Sequence, residues 1–117
     1  MSSIRIIESK EKTLECPETL YIDFNQPGNP TSYSVQIKTE PINMIMRLDI
    51  CTSAKMVAYF RVVYADNKVS FKGKYELEKG KQQLRECFTN VKEVTLIINN
   101  ELNPGLNGVL VVENITI

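Results

Sequence analysis

Between Asn43 and Leu77 apolar side chains recur at every second position, and this pattern confines the chain to β-structure. Met44, Met46, Leu48 and Ile50 alternate with Asn43, Ile45, Arg47, Asp49 and Cys51, as a strand with one buried face requires. After the short turn Thr52-Ser53-Ala54, Met56, Ala58, Phe60, Val62 and Tyr64 form one row and Val57, Tyr59, Arg61 and Val63 the other. That strand is apolar on much of both faces, which predicts a central position. A turn at Ala65-Asp66-Asn67 leads to Val69, Phe71, Gly73, Tyr75 and Leu77, set against Ser70, Lys72, Lys74 and Glu76 on a polar outer face. The expectation is three antiparallel strands in succession, each paired with the next.

Shorter candidates flank this meander. Ile4–Ile7, Leu20–Phe24 and Ser32–Lys38 precede it, with Leu20, Ile22 and Phe24 on one side of Tyr21 and Asp23. Gln82–Phe88 fits a strand or one helical turn, with the strand favoured, and Glu93–Ile98 and Val109–Ile117 read as strands rich in Val and Ile. The segments 25–30 and 99–108, with their Pro, Gly and Asn residues, read as loops. Eight or nine short strands without an amphipathic helix predict an all-β fold, an antiparallel β-sandwich of jelly-roll type, with the two terminal strands near each other. No linker or repeat divides residues 1–117, so the expectation is one domain.

Composition narrows function by exclusion. The sequence has no histidine, which removes Ser-His-Asp and Cys-His catalysis and the common zinc sites. No pair of carboxylates stands apart as a glycosidase couple, so no enzymatic activity is expected. Lys plus Arg and Asp plus Glu are equal at 14 each, and Glu76, Glu78 and Glu86 interleave with the lysines from Lys68 to Lys81. That balance argues against nucleic acid or an anionic membrane as partner. Cys16, Cys51 and Cys87 are an odd number at wide spacing, read as free, partly buried thiols. No segment has signal-peptide or membrane-span character, so the chain as given reads as cytoplasmic; if it is one domain of a larger protein, the location is open. Jelly rolls of this type can hold calcium through Asp, Glu and backbone carbonyls, but no dense acidic loop is present, and no metal or other cofactor is assigned. Asn114-Ile115-Thr116 fits the glycosylation pattern but lies in an apolar strand, and is read as chance.

The closing stretch carries a resemblance. Val94-Thr95-Leu96-Ile97-Ile98, then Asn103-Pro104-Gly105, then Gly108-Val109-Leu110-Val111-Val112-Glu113-Asn114-Ile115-Thr116-Ile117 resembles the end of carbohydrate-binding-module-like, or galactose-binding-domain-like, jelly rolls. Asn103 stands where similar modules attached to glycosyltransferases more often have Asp. The resemblance implies a non-catalytic carbohydrate-binding module accessory to an attached or partner enzyme, with an oligosaccharide or polysaccharide as ligand.

Two candidate sites suit such a ligand. In a symmetric hairpin around Ser53, Arg47 lies opposite Tyr59, Ile45 opposite Arg61, and Asp49 opposite Val57, all on one outward face. Arg47, Asp49, Tyr59 and Arg61 would then offer planar ionic groups to vicinal hydroxyls and an aromatic face to a sugar ring. The absence of tryptophan leaves tyrosine to supply that face. The second site is the loop edge, where Tyr33, Asn25, Gln26 and Asn29 meet Asn99, Asn100, Glu101, Asn103 and Asn107. The alternative function is protein interaction or homo-oligomerisation through an apolar sheet face that includes Ile45, Val57 and Val63, or a structural role in a larger assembly.

Overall fold

The computed structural model describes residues 4–28, 30–99 and 105–116. Seven strands form among them: β1 (Ile4–Glu11), β2 (Thr19–Gln26), β3 (Ser32–Thr52), β4 (Met56–Tyr64), β5 (Val69–Leu77), β6 (Gly80–Asn99) and β7 (Leu106–Asn114). No helix is present among the described residues. The number is seven where eight or nine short strands were expected, because two expected pairs are continuous. Ser32–Lys38 and Asn43–Cys51 both lie in β3, and Gln82–Phe88 and Glu93–Ile98 both lie in β6.

These two long strands organise the molecule. The sheet order is β2-β7-β3-β6-β4-β5, with β1 added in parallel to the first part of β3 and every other pairing antiparallel. β7 pairs with β3 over Met44–Thr52, and β4 pairs with β6 over Val91–Asn99, so each long strand serves two sheet halves. The β7 half holds β2, β7, the second part of β3 and the first part of β6. The β4 half holds β1, the first part of β3, the second part of β6, β4 and β5.

Bulges mark the boundary, with register shifts in the β3–β6 ladder between Lys38 and Ile42 and again between Ile42 and Met44. Side chains alternate between faces, so an inserted residue exchanges them. In β3 the buried residues are accordingly Tyr33, Val35 and Ile37 before the bulges, and Ile42, Met44, Met46, Leu48, Ile50 and Thr52 after them. Pro41 sits in the bulged stretch, where its lack of an N–H costs no ladder bond. Asn90 takes φ 54° on the partner strand. The buried rows of both halves make one core, with Phe60 of β4 edge-to-face on Phe88 of β6 at 5.2 Å between ring centroids. The architecture is β-sandwich-like.

Several expectations are corrected by this topology. β3 and β4 do not pair, because β6 returns between them, while the β4–β5 hairpin forms as expected. The terminal strands do not pair either: β1 lies on β3, and β7 lies between β2 and β3. β5 departs from a simple apolar row. A register shift between Ala58 and Phe60, with Gly73 at φ 73°, turns Lys72 toward the core side, its Nζ 5.6 Å from the Phe88 centroid. Val69 and Phe71 are therefore outside, 49% and 63% exposed, while Leu77 beyond the shift is buried. Cys16 and Cys87 are exposed rather than partly buried, and all three thiols are free.

Candidate functional site

The outer face of the β7 half gathers polar side chains from four strands in consecutive rows. In the first, Tyr21 faces Val111, Val111 faces Arg47, and Arg47 faces Arg85. The next holds Asp23, Val109, Asp49 and Gln83, and the third Asn25, Asn107, Cys51 and Lys81. Strand spacing puts neighbours in a row about 5 Å apart, and successive rows about 7 Å apart. A rigid ladder thus holds two arginines beside two aspartates, an amide at the end of their row, and a tyrosine that is 66% exposed.

The surface between these groups is concave. A shallow hollow of about 700 Å³ is lined by Asp23, Asp49, Lys81, Gln83 and Asn107, with Gly108 and Val109 between them. A second, of about 420 Å³, lies among Arg47, Asp49, Gln83, Arg85 and Val111. They share Asp49 and Gln83, so they form one continuous depression. Among the described residues, none of Arg47, Arg85, Asp23 and Asp49 makes a salt bridge or a side-chain hydrogen bond. Their donors and acceptors all remain available to a ligand, an arrangement that hydrogen-bonds polyhydroxylated molecules while an aromatic face covers C–H surface.

Of the four residues expected together on a sheet face, Arg47 and Asp49 are found here. Tyr59 and Arg61 are not beside them, because β6 separates β3 from β4 and carries them to the β4 half. There Tyr59 faces Ile97, and Arg61 faces Thr95 and Phe71. Arg61 Nη1 also donates to Glu93 Oε2 at 2.9 Å, an ion pair that occupies it. Ile45 is likewise separated from Val57 and Val63. Tyr33 is fully buried and donates from its hydroxyl to the Pro27 carbonyl at 2.8 Å, so it is a core residue rather than part of a loop-edge site. Burial pushes its phenol pKa up, partly opposed by the nearby Arg5 charge. Asn103, with Asn29, Asn100 and Glu101, lies outside the described residues. Asn25 and Asn107 of the expected loop edge do meet, as register partners at the end of the β7 half.

Arg85 and Gln83 escape the sequence reading because 82–88 is ambiguous between strand and helix, and Lys81 because 78–81 reads as a turn, whereas β6 already begins at Gly80. Tyr21 and Asp23 carried a signal, the alternation with Leu20, Ile22 and Phe24. Asn114 Nδ2 donates to the Leu14 carbonyl at 2.6 Å and Oδ1 accepts from Thr116 N at 2.8 Å, so the glycosylation pattern there is folded into the interior.

The β4 half presents a different surface. Tyr59 and Phe71 stack tilted, 6.2 Å between centroids, beside a hollow of about 480 Å³ lined mainly by Val57, Tyr59, Phe71 and Lys74. Where β5 approaches the first part of β6, the Tyr75 hydroxyl donates to the Glu86 carboxylate. That bond, burial and the carboxylate charge push the Tyr75 pKa up to about 12.

No protein-family model matches the chain, and no characterised protein matches it in sequence. Among solved structures it is similar to the VP2 subviral particle of infectious bursal disease virus, with TM-score 0.50 and 14% identity over 84% of this chain and 33% of that one. It is also similar to the pre-peptidase C-terminal domain of a Bacillus anthracis collagenase, with TM-score 0.45 and 7% identity over 96% and 94% of the two chains. A CBM4 structure matches with TM-score 0.39 and 10% identity over 81% and 66%. The chain spans a third of VP2, and the likeness to it is one of fold.

Proposed function

We propose that this protein is a non-catalytic carbohydrate-binding domain that holds a glycan on the outer face of its β7 half, as an accessory to an attached or partner enzyme. The observation that carries the reading is the set of unpaired groups on that face, Arg47, Arg85, Asp23 and Asp49, beside the exposed ring of Tyr21. The two arginines and the two aspartates lie in adjoining rows with no salt bridge between them, so each keeps its hydrogen-bonding capacity for a ligand. On this reading the two halves are the layers of a jelly-roll sandwich. The open depression suits a chain of sugars lying across the strands more than a substrate enclosed for chemistry.

A glycan array followed by calorimetric titration tests the proposal. Tyr21→Ala and Asp49→Ala should each weaken the best ligand about tenfold, corresponding to one aromatic platform or one charge-assisted hydrogen bond. Binding indifferent to both substitutions, or no binding across the array, refutes it.

A second reading rests on the other face. Phe71 and Val69 are exposed next to Tyr59, and such a patch suits association with another copy or another protein. Light scattering that finds a dimer in the parent protein and a monomer in Phe71→Asp would favour it; a monomer in both would count against self-association.

A further inference from the structure

We infer that the glycan bound by the β7 half is anionic and seats a carboxylate or sulfate group between Arg47 and Arg85; the inference rests on the glycan-binding reading above. Arg47 of β3 and Arg85 of β6 are direct partners in the antiparallel register. Their Cβ atoms are therefore about 5 Å apart on the same face, and like charges so placed repel. Among the described residues no ion pair offsets this: both side chains are exposed, and neither has a carboxylate within salt-bridge distance. Glu86, the neighbour of Arg85 in sequence, accepts from Tyr75 instead. Two guanidinium groups carried side by side on one face can present paired N–H donors to the oxygens of a single anion.

The surroundings define what carries that anion. Asp49 and Gln83 occupy the adjoining row, with Asp23 at its far end, where they accept hydrogen bonds from hydroxyls and oppose further negative charge. A nucleic-acid backbone would bring successive phosphates against these aspartates. An acidic sugar places one charged group among neutral hydroxyls and matches the order of the rows. Tyr21 lies three strands across from Arg85 in the arginine row, about 14 Å away, which allows a neighbouring sugar ring to rest on it.

The test is an array in which uronate-containing, sialylated and sulfated oligosaccharides are each printed beside their neutral parents, carboxyl-reduced or desulfated, and the hits titrated by calorimetry. The expected result is a preference of tenfold or more for acidic forms, reduced about 10- to 100-fold by Arg85→Gln or Arg47→Gln, the loss expected of a charge-assisted hydrogen-bonding partner. The pairs that respond distinguish carboxylate from sulfate. Equal binding of neutral parents, or an acidic preference that survives both substitutions, overturns the inference while glycan binding stands. No binding to any member overturns both. Because the two side chains lack partners, Arg85→Gln should melt at or above the parent temperature; a clear fall would show the arginine to be structural and also count against the inference.

Discussion

Gly108→Ala tests whether the β7 half is packed as closely as its register implies. A Cβ at Gly108 would stand 2.0 Å from the Asp49 carbonyl oxygen and 2.9 Å from Ile50 Cα, both backbone atoms. The Asp49 carbonyl must therefore retreat by about 1 Å to reach even a tight contact. It has little room, because Asp49 and Ile50 are also in register with Gln83 and Gln82 of β6. Forcing extra volume into such a site costs about 1–3 kcal/mol, and distorting a ladder hydrogen bond adds about 1 kcal/mol. Restricting the unfolded chain returns up to about 1 kcal/mol. The clash prevails, leaving a net loss of about 1–3 kcal/mol, or a melting temperature lower by about 5–15 °C for a domain of this size. Thermal denaturation followed by far-ultraviolet circular dichroism measures it, with Asn107→Ala as the exposed neighbouring control, expected within about 0.5 kcal/mol of the parent. The Gly108 variant should also bind glycan less well, because the displaced residue carries the Asp49 carboxylate. Melting within a degree or two of the parent would refute the close approach of β7 to β3.

Asn114→Ala strips the Leu14 carbonyl and the Thr116 N–H of their partners and should cost about 1–3 kcal/mol in urea denaturation; a loss below about 0.5 kcal/mol would show that water replaces the amide. Tyr75 has its pKa raised from the ordinary 10.0 to about 12 by the hydrogen bond to Glu86, burial and the Glu86 charge. Its contribution to stability is thus complete below pH 10 and disappears as pH rises through about 12. Tyrosinate absorbance should show a late-titrating component that Tyr75→Phe removes, and a parent titration complete in the ordinary range would contradict this. Arg61→Ala breaks the ion pair with Glu93, which retains Lys38 at 3.7 Å. It should lower stability by about 1 kcal/mol or less and leave glycan binding unchanged, because Arg61 belongs to the other half; weakened binding would count against the assignment of the ligand to the β7 half.

The difference between Arg47 and Arg61 shows what the sequence makes legible. Period-two alternation is a local property, so it correctly turns Met44, Met46, Leu48 and Ile50 inward and leaves Arg47 and Asp49 outside. It contains no record of which strand lies alongside. A hairpin across Thr52-Ser53-Ala54 was the simplest partner assignment, since consecutive strands usually pair. What overrides it is β6, a 20-residue strand that returns between β3 and β4 and carries Arg85 to Arg47 from far along the chain. Its first part is hard to read because Gln82, Gln83, Arg85 and Glu86 supply few apolar residues to mark a face, and that poverty follows from its place at the margin of the β7 half. Bulges hide information in a second way. On β5 the alternation of Val69, Phe71, Gly73, Tyr75 and Leu77 looks continuous, yet one inserted residue near Gly73 sends its two ends to opposite faces. Face assignments therefore hold from one bulge to the next, and a binding row built across strands depends on a register that no single strand encodes. The arginine pair belongs to this class: each residue is outward-facing by local pattern, but their opposition, and hence the attraction for an anion, exists only once β3 and β6 are in register.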